Sequence, residues 1–472
     1  MHKSEASASL LAPPALPTEI LSKIFLHCAD IDGSLSAVNT IHVPLLLTKI
    51  CRSWRTIAIG TRSLWSRLYL SIHPNATDQT DLVSTWLTRS GAYPLQIYIM
   101  WNSPPFFPSH AVLDILVQHS NHWRSMYFFL PMPAYRSLAP IRGNLPILTE
   151  LSLGTHDPPL TDPILDIFAS APKLRSFECV NLDPYLFSVP WASLTHIPIM
   201  TVSVDDALDI LRRAPRLKSG SFICTDSDDL GPHHIPRPHS VRHKNLHELA
   251  VLAPAWLPAL EPRALLQYLT APALQSLRIC NIGWPFGTHL VTFVARVDAL
   301  QSLYLRKTAL SEHDVLTVLE LLPTLKHLAL LSSSMYTMAA DLVLDRLTLR
   351  SIAKKPLVPR LETLEITLPD ALSMEFVELL ESRWYVKEDE DGEEDDEASV
   401  CVARLRKVEV GANDDYDEAV ICRLEALAQA GMTVIIGSTD VPLQDGLEYM
   451  SARYADRKRE DTVLIDNLDD LI

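Results

Sequence analysis

Apolar residues recur along this chain in one phrase, Pro-x-Leu-x-x-Leu-x-Leu, which is plainest at residues 271–280 (APALQSLRIC). A proline there turns the chain, and the alternation after it sends every second side chain to one face of a strand. Copies stand at Leu148/Leu151/Leu153, Leu174/Phe177/Cys179, Leu194/Ile197/Ile199, Leu246/Leu249/Val251, Leu300/Leu303/Leu305, Leu325/Leu328/Leu330, Leu361/Leu364/Ile366 and Leu405/Val408/Val410. A weaker copy at Leu217 carries Gly220 where an apolar residue is expected. From Leu148 onward the leading leucines are 26, 20, 23, 29, 28, 26, 25, 36 and 44 residues apart.

Between most copies the apolar spacing becomes helical. It predicts helices near 161–171, 204–214, 262–271, 287–297, 311–322, 338–349, 370–383 and 415–430. Val315, Leu316, Leu319 and Leu322 make one clear stripe. Leu344/Leu347/Leu349 reads as the end of a helix, because no proline precedes it, and residues 432–436 as a closing strand. One strand and one helix per unit at this period is the signature of leucine-rich repeats, whose units bury their apolar faces only by stacking. The fold class expected is therefore α/β: a small helical N-terminal domain followed by an irregular leucine-rich-repeat solenoid, or horseshoe.

The N-terminal pattern is different. Pro17 suits the first turn of a helix, and Ile20, Leu21, Ile24, Phe25 and Cys28 follow on one face. A second helix is expected from Pro44, with Leu47, Ile50, Cys51, Trp54, Ile57 and Ala58 on one side. Residues 79–90 read as a helix closed by Gly91, and Leu95/Ile97/Ile99 and Met126/Phe128 as strands, with a helix from Val112 to His119 between them. The organisation expected is a disordered leader (1–14), a helical domain (15–68), connecting first repeats (69–144), a solenoid (145–440) and a charged tail (441–472).

Composition changes this picture in few places. Against 57 acidic side chains stand 41 basic ones, a net charge of −16, but residues 388–397 alone carry nine acids. That run, an insert over 387–398, reads either as a solvated insertion explaining the longest repeat or as a dock for a basic partner. No basic stripe marks a nucleic-acid surface. Nor does an apolar run long enough for a membrane span occur, and the N-terminal apolar stretch is too short and proline-broken for a signal peptide. Seven scattered cysteines, never paired as CxxC, read as reduced core thiols.

Candidate chemistry is sparse. There is no GxSxG elbow, phosphate-binding glycine loop or HExxH, so neither an enzyme nor a cofactor is expected. The cluster His233, His234, His239, His243 and His247 fits no standard zinc spacing and is interrupted by Pro236 and Pro238, so it reads as a surface loop and no metal is expected.

At the N-terminus the residues Leu16-Pro17, Glu19-Ile20-Leu21, Ile24-Phe25, Ile50-Cys51-Arg52, Trp54-Arg55, Ile57-Ala58 and Leu64-Trp65 together resemble the F-box. With irregular leucine-rich repeats after it, the chain resembles the expanded F-box proteins of basidiomycete fungi. The likeness continues through residues 86–91 (WLTRSG), 94–99 (PLQIYI), 381–384 (ESRW) and 403–406 (ARLR). Two features depart from the pattern: a long connector before Pro44, and Ile50 where valine is commoner. The resemblance implies a substrate-recognition subunit of a Skp–cullin–F-box ubiquitin ligase, in the cytoplasm or nucleus and without catalysis of its own. By that resemblance Leu16, Pro17, Ile20, Leu21, Ile24, Ile50, Cys51 and Trp54 would dock a Skp-type adaptor, and through it a cullin. Periodicity alone leaves open the alternative of an interaction scaffold whose N-terminal helices only cap the solenoid.

In either case the repeats would hold a protein target. If the leucines of each phrase point inward, the residues between them point to the concave face. That places Ser276, Arg278, Ser302, Tyr304, Arg306, His327, Thr363 and Glu365 on one surface of adjacent strands. Tyrosine and arginine are common anchors of binding surfaces, so an acidic or polar peptide is the expected occupant.

Overall fold

The computed structural model describes residues 16–30, 42–72, 79–101, 111–155, 164–224, 240–253, 262–283, 286–331, 341–349, 356–368, 372–386, 402–411 and 417–437. The acidic run, His233, His234, His239, Cys401, the leader before Leu16 and the charged tail lie outside these residues. The chain divides into two compact units between Ala273 and Leu274.

The first unit opens with three helices that pack on one another, α1 (Thr18–Asp30), α2 (His42–Ile50) and α3 (Arg52–Gly60). The single helix expected from Pro44 to Ala58 is broken at Cys51. Its backbone is extended (φ −156°, ψ 170°), and its Sγ accepts a hydrogen bond from the Trp54 N–H at 3.4 Å, so it caps a new helix. The break turns Ile57 and Ala58 into the core with Phe25 and Leu47, and Trp54 packs on Phe25 with ring centroids 4.8 Å apart. Buried Trp65 closes the bundle, its indole N–H donating to the Ala58 carbonyl at 2.8 Å.

Strand and helix alternate as far as β4, after which some strands follow one another with no α-helix described between them: β1 (Arg67–Ile72), α4 (Gln79–Ser90), β2 (Leu95–Trp101), α5 (Ala111–Val117), β3 (Trp123–Phe129), α6 (Met132–Arg136), β4 (Glu150–Gly154), β5 (Ser176–Val180), β6 (His196–Val202), α7 (Val204–Arg213), β7 (Ser219–Cys224), β8 (Val241–Arg242), β9 (Glu248–Leu252), α8 (Pro262–Tyr268) and β10 (Leu269–Thr270). The eight strands β1 to β7 and β9 pair in parallel in that order, while β8 and β10 form a separate pair. β3 pairs with β4 across residue 145, so the first repeats and the later ones of this unit share one sheet.

No helix occupies the described part of 161–171. Leu165 instead bridges to Phe187: its N–H donates to the Leu186 carbonyl at 2.7 Å, and its carbonyl accepts from Ser188 N–H at 2.9 Å. That pairing takes the backbone groups a helix would need. At the weak copy, Gly220 lies in β7, and the space a side chain would take is filled by the Phe222 ring and Leu217.

The second unit contains β11 (Ser276–Cys280), α9 (Gly287–Val294), β12 (Ser302–Arg306), α10 (Glu312–Glu320), β13 (His327–Leu331), α11 (Asp341–Leu347), β14 (Thr363–Thr367), α12 (Met374–Trp384), β15 (Lys407–Gly411), α13 (Glu418–Gln429) and β16 (Thr433–Gly437). Its six strands are parallel and adjacent in chain order. The residue after each leading leucine hydrogen-bonds to its counterpart in the preceding repeat, as in Gln301 to Gln275, Lys326 to Gln301, Glu362 to Lys326 and Arg406 to Glu362, each at 2.8 Å. The leading leucines themselves, in both units, are fully buried. The phrase thus fixes register and core together: one residue points into the core, and the next closes the ladder.

Gly287, in the first turn of α9, has no room for a side chain. A Cβ there would collide with the carboxylate of Asp314, which accepts from the Ser311 hydroxyl at 2.7 Å and the Ser311 N–H at 3.2 Å in the capping box of α10. Gly287→Ala should displace that carboxylate and lower stability by about 1–2 kcal/mol, the usual worth of a cap. A denaturant midpoint unchanged from wild type would contradict this.

Candidate functional site

Three surfaces qualify. The first is the open side of α1–α3. Leu16, Ile20, Ile24, Leu46, Ile50 and Ile59 are each 38% to 59% exposed, and they make up six of the thirteen large exposed apolar side chains among the described residues. That concentration in one small bundle is what sets the surface apart, because scattered exposed aliphatics are ordinary. Of the residues the F-box resemblance names, Pro17 and Cys51 are also exposed, whereas Leu21 and Trp54 are half-buried. Trp54 is partly committed to Phe25. Leu46 and Ile59 are exposed without being named by the resemblance. Leu46 lies one turn before Ile50 on α2, a spacing that was present in the sequence.

The second surface is the face of β11–β15 opposite the buried leucines. Ser276, Ser302, His327 and Thr363 align in one row, and Arg278, Tyr304, Ala329 and Glu365 in the next. Arg306 follows on β12, one pleat beyond Tyr304. All eight residues expected on this face stand there, and most are half-buried by their neighbours. The Arg278 guanidinium lies over the Tyr304 ring, 4.8 Å from its centroid. On β15, Glu409 continues the second row beside Glu365, with Lys407 at 3.4 Å from its carboxylate.

The third surface was not singled out in the sequence. Tyr69, Tyr98 and Tyr127 stand in register on β1, β2 and β3, their rings nearly parallel with centroids 4.4 and 4.2 Å apart. Their hydroxyls are linked, and Tyr127 donates to Glu150 at 3.2 Å. Burial first, then the neighbouring Tyr69, pushes Tyr98 up to about 12, and burial with Tyr98 and Glu150 raises Tyr127 further. In the unfolded chain these phenols ionise near 10. The folded state therefore holds the protons longer, and the ladder's contribution to stability is complete below pH 10 and lost as pH rises through about 12. Tyrosinate absorbance should show a late-titrating fraction that Tyr98→Phe diminishes; burial raises Tyr185 and Tyr304 too, and their share should remain. A single phase near the ordinary tyrosine value would contradict the ladder.

Of the histidine cluster, His243 is buried and its Nε2 lies 3.0 Å from the Ala214 carbonyl, a structural contact. Among the described residues no group of His, Cys, Asp and Glu could hold a metal ion, and no helix is long and apolar enough to cross a membrane. Cys179, Cys224 and Cys280 are buried free thiols, and burial pushes Cys224 up to about 12. Cys28, Cys51 and Cys422 are exposed free thiols.

No family model matches the chain, and no curated protein matches it. Among solved structures, the yeast complex of Rad7 and Elc1 contains a chain 14% identical over 89% of this one and 92% of its own length, with a TM-score of 0.37.

Proposed function

We propose that the chain is the substrate-recognition subunit of a Skp–cullin–F-box ubiquitin ligase. Its N-terminal helices dock a Skp-type adaptor, and through it a cullin. The repeats hold a protein target, and the chain performs no catalysis itself. It works in the cytoplasm, the nucleus or both. Tethering a target near the conjugating machinery raises its effective concentration without any new chemistry on this chain.

One observation supports the reading: four of the six open aliphatic side chains at the N-terminus, Leu16, Ile20, Ile24 and Ile50, are residues that the F-box resemblance names for the adaptor. The scaffold alternative draws on the turn that follows α3, where Trp65 packs edge-on against Trp86 of α4 as a cap would. Capping, however, gives no reason for the outer aliphatics. Co-expression with a Skp-type adaptor separates the two. The ligase reading expects an equimolar complex through gel filtration, whereas adaptor that never co-elutes with the chain would leave the scaffold.

A further inference from the structure

The face of β11–β15 is divided by charge. Arg278 and Arg306 stand on β11 and β12, and the row ends at β14 and β15 with Glu365 beside Glu409. Between them lies Ala329, whose methyl leaves a step between the larger Tyr304 and Glu365 on the neighbouring strands. The Tyr304 hydroxyl, at that step, is buried and has no hydrogen-bond partner among the described residues. Both arginines and Glu365 act on it electrostatically, which places it where the positive half of the face gives way to the negative half. Two carboxylates side by side on adjacent strands repel, and Lys407 lies 3.4 Å from that of Glu409.

We propose that this face binds an extended segment of a partner protein that carries an acidic and a basic side chain. The acidic one sits over Arg278 and Arg306, the basic one over Glu365 and Glu409, and a small or apolar residue fills the step above Ala329. Strand spacing fixes the separation. β12 and β14 are two spacings apart, about 10 Å, and β11 and β15 four, about 19 Å; an extended chain crossing the strands covers these in about three and about six residues. The expectation of a purely acidic or polar occupant is thereby narrowed to a segment of mixed charge. The inference rests on the reading that the repeats hold a target, but it does not depend on the adaptor.

The test is selection of random displayed peptides on the full chain without adaptor. Wild type should enrich peptides with an acid and a base about three to six residues apart, by about tenfold or more over the starting library. Arg278→Glu with Arg306→Glu should shift selection to peptides with basic residues alone. Glu365→Lys with Glu409→Lys should shift it to acidic ones. Should a reversed-charge variant fail to fold, Arg306→Gln and Glu365→Gln replace it, each losing one half of the preference. No enrichment on folded wild type, or a selection that neither reversal alters, would overturn the proposal while leaving the adaptor reading standing.

Discussion

Arg383→Leu is expected to cost about 3–5 kcal/mol of stability. Arg383, near the C-terminus of α12, has no solvent exposure. Its Nε donates to the Leu347 carbonyl at 2.7 Å, Nη2 to Leu357 at 2.7 Å and Nη1 to Val358 at 3.2 Å. Burial pushes the guanidinium down to about 10, so it still carries its charge at neutral pH. Two effects oppose each other on substitution. Removing a buried charge is favourable, but three carbonyls lose their donor at about 1–3 kcal/mol each. The second effect wins because the carbonyls belong to two separate segments, Leu347 at the end of α11 and the adjacent Leu357 and Val358, and cannot converge on water without opening the core. One of them, Val358, also holds a left-handed backbone (φ 43°), which a β-branched residue adopts only under constraint. Arg383→Lys should rescue little, since one ammonium on a flexible stem cannot reproduce the planar fork. Equilibrium denaturation measures the loss, and a midpoint within experimental scatter of wild type for Arg383→Leu would contradict this account.

The opposite pattern is expected at the N-terminus. Ile20→Asp with Ile24→Asp should leave the melting temperature nearly unchanged, because both side chains already face solvent. Adaptor binding should nevertheless fall by at least about a hundredfold. Fully burying an exposed aliphatic is worth about 1.5–3 kcal/mol, so the part of Ile20 and Ile24 still open contributes about 1–3 kcal/mol together, and the desolvation of two carboxylates in an apolar interface takes the loss past the roughly 3 kcal/mol that a hundredfold represents. Co-precipitation with the adaptor reads the effect. Undiminished recovery would remove these residues from the interface, and a large drop in melting temperature would show that they pack inside.

Much of the repeat architecture was legible because its physics is local. A leading leucine, the residue that closes the ladder and the alternation after it all sit within eight positions, so strands β4 to β15 follow the phrase closely, apart from the short pair β8 and β10. Helices were legible where an apolar stripe met a proline or a cap, as at α10. What was missed depends on partners distant in the chain. Leu165 abandons its helix for Phe187, and Arg383, placed like any basic residue closing a helix, is drawn inside by carbonyls 25 to 36 residues earlier. The ESRW and ARLR segments of the resemblance meet for the same reason: Leu405 N–H donates to the Arg383 carbonyl, and the Arg404 guanidinium lies over Trp384. The tyrosine ladder needs the register of three strands at once, which unequal repeat lengths conceal. Cys51 was misread because apolar spacing passes through a helix break unchanged. The open aliphatics of α1–α3 were legible as a stripe, but their exposure was not, since a stripe does not say which half of it the next domain covers.

Amide hydrogen exchange on the full chain, with and without a saturating Skp-type adaptor, tests the central claim most directly. The account predicts slowed exchange in α1, α2 and α3 on adaptor binding, with the strands of the second unit unchanged. Adaptor that fails to bind, or that binds and protects the repeats while α1–α3 exchange as before, would contradict it.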